Sequence, residues 1–451
     1  MVRLPRLALA TPSRGPEPAP ATLAILAGLT ARDNRVQHFR SRACPIGSGL
    51  IGRVTGLPGR HLDAWLMPPE VCRAVFARGA RRSDLALVEG TLENTLPSLE
   101  DAHLDRPGRL RPIAEALDLP TIAVVECRGR DGLHLPRLPE GVDAILLDGL
   151  ERPEDYEPVR RAVHLVCKIP VVGAVEALPA VREALRAVPG GLLPSDDIVA
   201  SLAASFLRWA DLELLHALAE GRPFPVAPAE PSVRPGRRFR VAYAQDEAFG
   251  GYFPDTLETL EALGAELVEF SPLTDETLPE AIDLVIVGSG YPDHFADELA
   301  ANYSLIAELR AHVCRGRRIY AEGGGMAYLG RLMVLGDREV PGAGILPIDA
   351  ELRADPTAPT PVTRVLSRAG WLGPAGTVVR GYRSGRWRLR PAPELDDCPA
   401  LSGTLTAQHD IVFRHQAVGS LMHLHLAALP QVVAAFAGTT RPTLTGPPSR
   451  R

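Results

Sequence analysis

Two stretches of the chain hold residues whose types and spacing suit chemistry. The apolar run at residues 7–10 leads into Thr11-Pro12-Ser13-Arg14-Gly15-Pro16-Glu17-Pro18-Ala19-Pro20-Ala21-Thr22, and a helical pattern follows. A strand, a loop and a helix N-terminus form the framework that cradles a phosphate. That chemistry needs successive backbone N–H groups, a lysine amine for the outer phosphates and a hydroxyl for Mg2+. Here Pro16, Pro18 and Pro20 remove donors, and Glu17 puts negative charge where phosphate would sit. The chain's single lysine, Lys168, lies far along the sequence. Standard P-loop chemistry is excluded on these grounds. The other stretch is Ser420-Leu421-Met422-His423-Leu424-His425. Alternate residues of one strand share a face, so His423 and His425 are expected side by side. A metal centre would need further ligands, and His409 and His415 do not complete a zinc spacing. The expectation is therefore no metal.

Short apolar runs alternate with helical patterns through the first half and set the frame for the first stretch. Residues 7–10, 85–88, 122–125, 144–147 and 171–172 read as buried parallel strands, and residues 21–31, 69–80 and 109–117 as helices. Residues 200–220 read as one longer amphipathic helix closing this domain. The rhythm predicts an α/β fold of two doubly wound domains. The first spans residues 1–220, a Pro-rich linker covers 221–237, the second domain runs over 238–438, and a polar tail occupies 439–451. In the second domain, strands are expected at 239–244, 284–287 and 318–321, with helices at 256–263 and 298–315.

Bulk properties narrow the function classes. The chain has 451 residues, 46% of them hydrophobic, and a formal net charge of −5, which gives no reason to expect nucleic-acid binding. No apolar run approaches the ~18 residues that span a bilayer, and the opening residues are too short a run for a signal peptide. A cytoplasmic protein is expected. The cysteines (Cys44, Cys72, Cys127, Cys167, Cys314, Cys398) are scattered without a Cys-x-x-Cys pair, as expected for reduced thiols.

A resemblance covers the chain almost end to end. Its densest part is Val241-Ala-Tyr-Ala-Gln-Asp-Glu-Ala-Phe249, Tyr252-Phe253-Pro254, Gly264-Ala265-Glu266-Leu267 and Phe270-Ser271-Pro272-Leu273. There follow Gly288-Ser289-Gly290-Tyr291-Pro292-Asp293, then Tyr320-Ala321-Glu322-Gly323-Gly324-Gly325-Met326, and finally the histidine segment. These resemble the landmarks of the class I glutamine amidotransferase domain in the cobyrinic acid a,c-diamide synthase family. The N-terminal half agrees at Pro12-Ser13, Gly15, Thr22-Leu23, Leu26-Ala27, Leu29, Arg35-Val36-Gln37, Thr55-Gly56, Arg60, Leu62-Asp63, Trp65 and Val88-Glu89-Gly90. The resemblance implies an N-terminal dethiobiotin-synthetase-like domain and a C-terminal glutamine amidotransferase-like domain. It also implies ATP and Mg2+ as cofactors, and amidation of the a and c carboxylates of a corrin ring through an acyl phosphate.

Laid on that family, this chain departs at the residues that do the chemistry. The family's Gly-Lys-Thr-Thr falls on Glu17, Pro18, Ala19 and Pro20, and an aspartate beyond the Val-Glu-Gly has become Leu96. The nucleophilic cysteine of Ala-Glu-Cys-Gly-Gly falls on Gly323, which cannot form a thioester. The catalytic histidine persists as His423, and the Gly-His-Glu-Phe-His-Tyr motif is replaced by Arg380-Gly381-Tyr382-Arg383-Ser384-Gly385-Arg386-Trp387-Arg388. The resemblance nominates Ser13, Gly15, Thr22 and Glu89 as a degenerate ATP and Mg2+ site. Asp63, Tyr291, Arg383 and Arg386 are the substrate candidates. Glu89 and the arginines are read by preference as a solvated strand-end carboxylate and a solvated strand face, and Asp63 equally as a helix cap. The preferred reading is a silent homologue that binds a corrinoid or another acidic small molecule, as a homodimer or with a partner protein. Its rivals are a cobyrinate ligase using ammonia at a rearranged nucleotide site, and an unrelated hydrolase or metal protein.

Overall fold

The computed structural model describes residues 4–12, 19–44, 48–91, 107–127, 138, 140–188, 193–225, 238–366, 370–392, 410–429, 432, 433 and 436. Ser13, Gly15, most of the expected linker and the whole expected tail lie outside them. The chain divides into two compact units, Met1–Pro231 and Ser232–Arg451.

The first unit opens with β1 (Arg6–Thr11), α1 (Pro20–Thr30), β2 (Val36–Arg40), α2 (Ser48–Thr55), β3 (Arg60–His61), α3 (Pro69–Ala80) and β4 (Leu85–Thr91). It continues with α4 (Arg111–Leu117), β5 (Thr121–Glu126), β6 (Val142–Leu150), α5 (Tyr156–Cys167), β7 (Val171–Glu176), α6 (Pro179–Ala187), α7 (Asp196–Trp209) and α8 (Leu212–Glu220). All seven strands join one parallel sheet in the order β3-β2-β4-β1-β5-β6-β7. Central strands of such a sheet are covered on both faces, so they need apolar side chains on both. β1, with the sequence Arg-Leu-Ala-Leu-Ala-Thr, is buried at every position. Its one charged residue, Arg6, donates to the carbonyls of Leu117, Asp118, Arg222 and Pro223 at 2.8–3.1 Å. That network holds the end of the unit against its first strand.

The expected single helix over residues 200–220 is two helices. Ala210 takes an extended conformation, and the Asp211 carboxylate accepts from Leu214 N–H at 2.9 Å to start α8. An aspartate at this position favours an N-cap over continuation.

The second unit contains β8 (Phe239–Ala244), β9 (Phe249–Gly251), α9 (Pro254–Ala262), β10 (Ala265–Phe270), β11 (Leu284–Val287), β12 (Ser289–Gly290), α10 (Ala296–Ala301), α11 (Tyr303–Cys314) and β13 (Arg318–Glu322). After these come α12 (Gly324–Leu329), β14 (Leu332–Leu335), β15 (Arg338–Pro341), β16 (Ile348–Leu352), β17 (Thr360–Val365) and β18 (Val378–Arg383). The last elements are β19 (Trp387–Pro391), β20 (Ile411–Arg414), β21 (Ala417–Ser420) and β22 (Met422–His423). Its main sheet runs β10-β8-β11-β13-β21-β20, parallel except at the β20 edge. The expected helix over 298–315 is again two, because Asn302 leaves the helical conformation and caps α11 through its side-chain oxygen. Two of the smaller sheets, β15-β14-β16-β19 and β17-β18-β22, are built mostly from strands that the sequence reading did not assign, although β22 lies in the histidine segment read as a strand.

Among the described residues, no helix is long and apolar enough to cross a membrane. No group of three or more His, Cys, Asp or Glu side chains among them could hold a metal ion.

Candidate functional site

In the first unit, parallel order brings the C-terminal ends of β1 and β4 beside the start of α1. In open α/β sheets ligands bind at this edge. Here the position facing the helix is taken by Glu89. One carboxylate oxygen accepts from Ala19 N–H at 2.9 Å and from the Thr22 hydroxyl at 2.8 Å, and the other lies 3.2 Å from His38 Nε2. Ala19 is the N-cap residue of α1 and has no polar side chain to cap the helix; the Glu89 carboxylate takes its N–H and the Thr22 hydroxyl instead, which ties the helix start to β4.

Burial pushes the Glu89 carboxyl up, but His38, Arg40 and the Ala19 N–H outweigh it and hold the pKa at about 2. Glu89 is 2% exposed, so it is not the solvated strand-end group considered from sequence. The nominated pair Thr22 and Glu89 is thus brought together, with each satisfying the other. His38 belongs to the same cluster and was missed. The signal available was its place directly after Arg35-Val36-Gln37, which matched the family.

Asp63 is fully buried and works on local backbone. Its oxygens accept from Ala43 N–H at 3.3 Å and Trp65 N–H at 2.9 Å, and its carbonyl accepts from Leu66 and Met67. That arrangement orders the turn leading into α3.

In the second unit, β13 ends at Glu322 and α12 begins at Gly324, with Gly323 between them at φ 52°, ψ −113°. A sharp strand-to-helix turn of this kind presents a nucleophile above a sheet, and positive φ is inexpensive for glycine. The turn is pinned by the Gly323 N–H donating to the Ser420 carbonyl at 2.8 Å. Neighbouring backbone passes so close that a Cβ on Gly324 would lie 2.7 Å from the Gly290 carbonyl oxygen, and one on Gly325 2.3 Å from that of Val287.

His423 stands over this turn. A Cβ built on Gly323 would lie 3.0 Å from His423 Cε1 and 2.8 Å from the Ser289 hydroxyl. Glu322 lies behind the imidazole, one oxygen 3.5 Å from His423 Nδ1, while the other accepts from Leu424 N–H at 3.0 Å and the Tyr320 hydroxyl at 2.6 Å. A nearby carboxylate, an imidazole and an elbow are therefore assembled around a position without a side chain. Cys314 is exposed at the end of α11.

The expectation that His423 and His425 share a strand face does not hold. The strand ends at His423, and His425 turns into a buried setting against the Phe253 ring, centroids 4.7 Å apart, with Nε2 3.9 Å from Asp255.

Within the arginine stretch Arg388 is exposed, but Arg383 and Arg386 are engaged internally, so it is not a plain solvated face. Arg383 Nε donates to the buried Asp410 at 2.5 Å, and Arg364 reaches the other oxygen of that carboxylate. Arg386 grips both oxygens of Asp293 at 3.0 and 2.8 Å and lies over the Tyr291 ring, 4.5 Å from its centroid. Tyr291, Asp293 and Arg386 thus form one cluster beside the β12 loop.

Comparison with known proteins places this architecture. Residues 240–430 match the CobB/CobQ-like glutamine amidotransferase domain. The chain is 31% identical over 402 residues to a cobyrinate a,c-diamide synthase of Syntrophotalea carbinolica, covering 84% of this chain and 85% of the relative. It is 29% identical over 484 residues to a hydrogenobyrinate a,c-diamide synthase of Streptomyces coelicolor, covering 96% and 97%. It is also 29% identical over 343 residues to a cobyrinate a,c-diamide synthase of Limosilactobacillus reuteri, covering 72% and 73%. With two α/β units and an elbow at Gly323 beneath His423, the chain belongs to the cobyrinate a,c-diamide synthase family.

Proposed function

We propose that this protein is a silent member of its family, which binds a corrinoid carboxylate and serves a scaffold or regulatory role without transferring an amide nitrogen. The carrying observation is Gly323. The turn, an imidazole and a nearby carboxylate surround a residue that has no atom able to attack an amide.

The first unit supports the same reading. A phosphate-binding helix N-terminus offers its N–H groups to a ligand, whereas here the Ala19 N–H and the Thr22 hydroxyl are turned onto Glu89. No lysine is near in sequence to replace the missing amine, because the only one is Lys168. The named activities of the relatives motivate the ligand class, and the two-unit body motivates a binding role.

The test is an absorbance titration of the purified chain with cobyrinate, with and without ATP, alongside assays for ammonia release from glutamine and for ATP consumption. Binding of the corrinoid that ATP does not change, with both activities at background, is the expected result. Glutamine-dependent ammonia release or cobyrinate-dependent ATP consumption would overturn the reading.

A further inference from the structure

We propose that Ser289 is a second lock on the amidotransferase centre: its hydroxyl fills the space that a nucleophilic side chain at position 323 would need. The inference rests on the silent-homologue reading and adds to it a residue that must change together with Gly323 before a reactive centre can exist.

Three observations carry it. A Cβ at position 323 would meet the Ser289 hydroxyl at 2.8 Å, closer than carbon and oxygen approach without bonding. The same Cβ would meet His423 Cε1 at 3.0 Å, so the added atom is confined from both sides. A sulfur lies one bond further out, in the space these two groups border.

Both neighbours sit in strand pairs. Ser289 pairs with Gly251 across β12 and β9, where a Cβ on Gly251 would lie 2.7 Å from the Ser289 carbonyl oxygen. His423 pairs with Tyr382, and a Cβ on Gly381 would lie 2.5 Å from the His423 carbonyl oxygen. The nearer of the two contacts is the Ser289 hydroxyl. Deleting that side chain is the direct way to relieve it.

The experiment compares the full chain, Gly323→Cys, Ser289→Gly and the double variant. Each is treated with iodoacetamide in its native state, and the peptide containing residue 323 is quantified by mass spectrometry against that of the exposed Cys314. In the reaction the sulfur–carbon bond forms, iodide leaves and the thiol proton passes to His423 or solvent. In the double variant the thiol at 323 should react about tenfold faster than in Gly323→Cys alone, as for a thiol that has gained an ionising neighbour. Adding His423→Ala should abolish that gain. Equal rates in the single and double variants would overturn the proposal, because Ser289 would then simply swing aside.

Should Gly323→Cys not fold, Gly323→Ala with and without Ser289→Gly gives the same answer through the melting temperature. Partial recovery of the loss by Ser289→Gly supports the lock, and strict additivity overturns it. Ammonia release from glutamine by the unmodified chain would sink the silent-homologue reading instead, so the two failures are distinguishable.

Discussion

The Glu89 carboxylate and the Thr22 hydroxyl lie 2.8 Å apart at the start of α1, in the position where a helix of this kind would otherwise receive an anion. A buried charge of this type is tolerated only when its lone pairs are matched, and here Ala19, Thr22 and His38 match them. The arrangement turns a ligand-binding edge into part of the fold's own cohesion.

A pH dependence follows. The folded pKa of Glu89, about 2, is below the usual carboxyl value of 4.5. The contribution to stability is therefore complete above the unfolded value and is lost as pH falls through the folded value. It amounts to about 3 kcal/mol at neutral pH. Urea unfolding of the wild type and Glu89→Gln, followed from pH 6 down toward pH 2 (about the span over which this group titrates), should show the two curves converging in acid. A constant gap between them would refute the assignment.

His312 predicts acid sensitivity over a different window. Burial drives its pKa down to about 4 from 6.5, aided by Arg317 and Arg315 and opposed by the hydrogen bond to the Arg318 carbonyl. The unfolded chain takes up the proton first, so stability is intact above about pH 6.5 and declines as pH falls toward about 4. The loss reaches about 3 kcal/mol. His312→Gln should flatten the stability curve of the second unit in this range. An unchanged slope in the variant would exclude His312 as the cause.

Close backbone approach around the elbow gives a steric prediction. A Cβ on Gly290 would lie 1.9 Å from the Ala248 carbonyl oxygen, so Gly290→Ala forces the β12 and β9 strands apart. A loss of about 3 kcal/mol or more is expected, the range of severe core substitutions. Gly52 provides the contrast. It lies inside α2 with its nearest neighbour, the Leu57 carbonyl oxygen, at an ordinary 3.9 Å, so Gly52→Ala should stabilise by about 0.5–1 kcal/mol. Chemical denaturation of both variants checks the pair, and equal effects would refute the steric argument.

The alternation of apolar runs and helical patterns made the α/β class legible, because central parallel strands such as β1 must be apolar on both faces. Helix interruptions at Ala210 and Asn302 were hidden because the apolar period continues across both breaks, and only the capping hydrogen bonds of Asp211 and Asn302 decide them. The short strands β14 to β19 escaped notice for a related reason. β16 pairs with β19 from a segment distant in sequence, β14 and β15 are only four residues each, and β17 has only exposed or half-exposed residues without an apolar period. At the site, Gly323 and His423 were placed by the resemblance of their segments to the family's landmarks. Partnerships could not: that Glu89 is held by Ala19 and Thr22, or that Ser289 reaches toward Gly323, depends on which strand ends the sheet order brings together.

Arg386 and Asp293 give the last prediction. From sequence, the arginines of residues 380–388 were candidates to receive ligand carboxylates, yet Arg386 is already bound in a two-point contact to a carboxylate of the chain itself. The Arg386 side chain is 22% exposed and the Asp293 side chain 7%, so solvent screens this pair less than a surface pair. Arg386 also lies over Tyr291, which a lysine could not do with the same planar fit. Removing Asp293 leaves the Arg386 charge without its carboxylate, and removing Arg386 leaves the largely buried Asp293 side chain with only His294 among the described residues, 3.6 Å away. Arg386→Ala and Asp293→Ala should therefore each destabilise by roughly 1–3 kcal/mol, and the double variant by less than their sum. Arg386→Lys should recover only part of the loss. If the pair is structural, corrinoid affinity at temperatures well below the melting point should change less than twofold in Arg386→Ala, about 0.4 kcal/mol. Loss of corrinoid binding with unchanged stability would assign Arg386 to the ligand instead, and would mean that the contact to Asp293 opens when a carboxylate arrives.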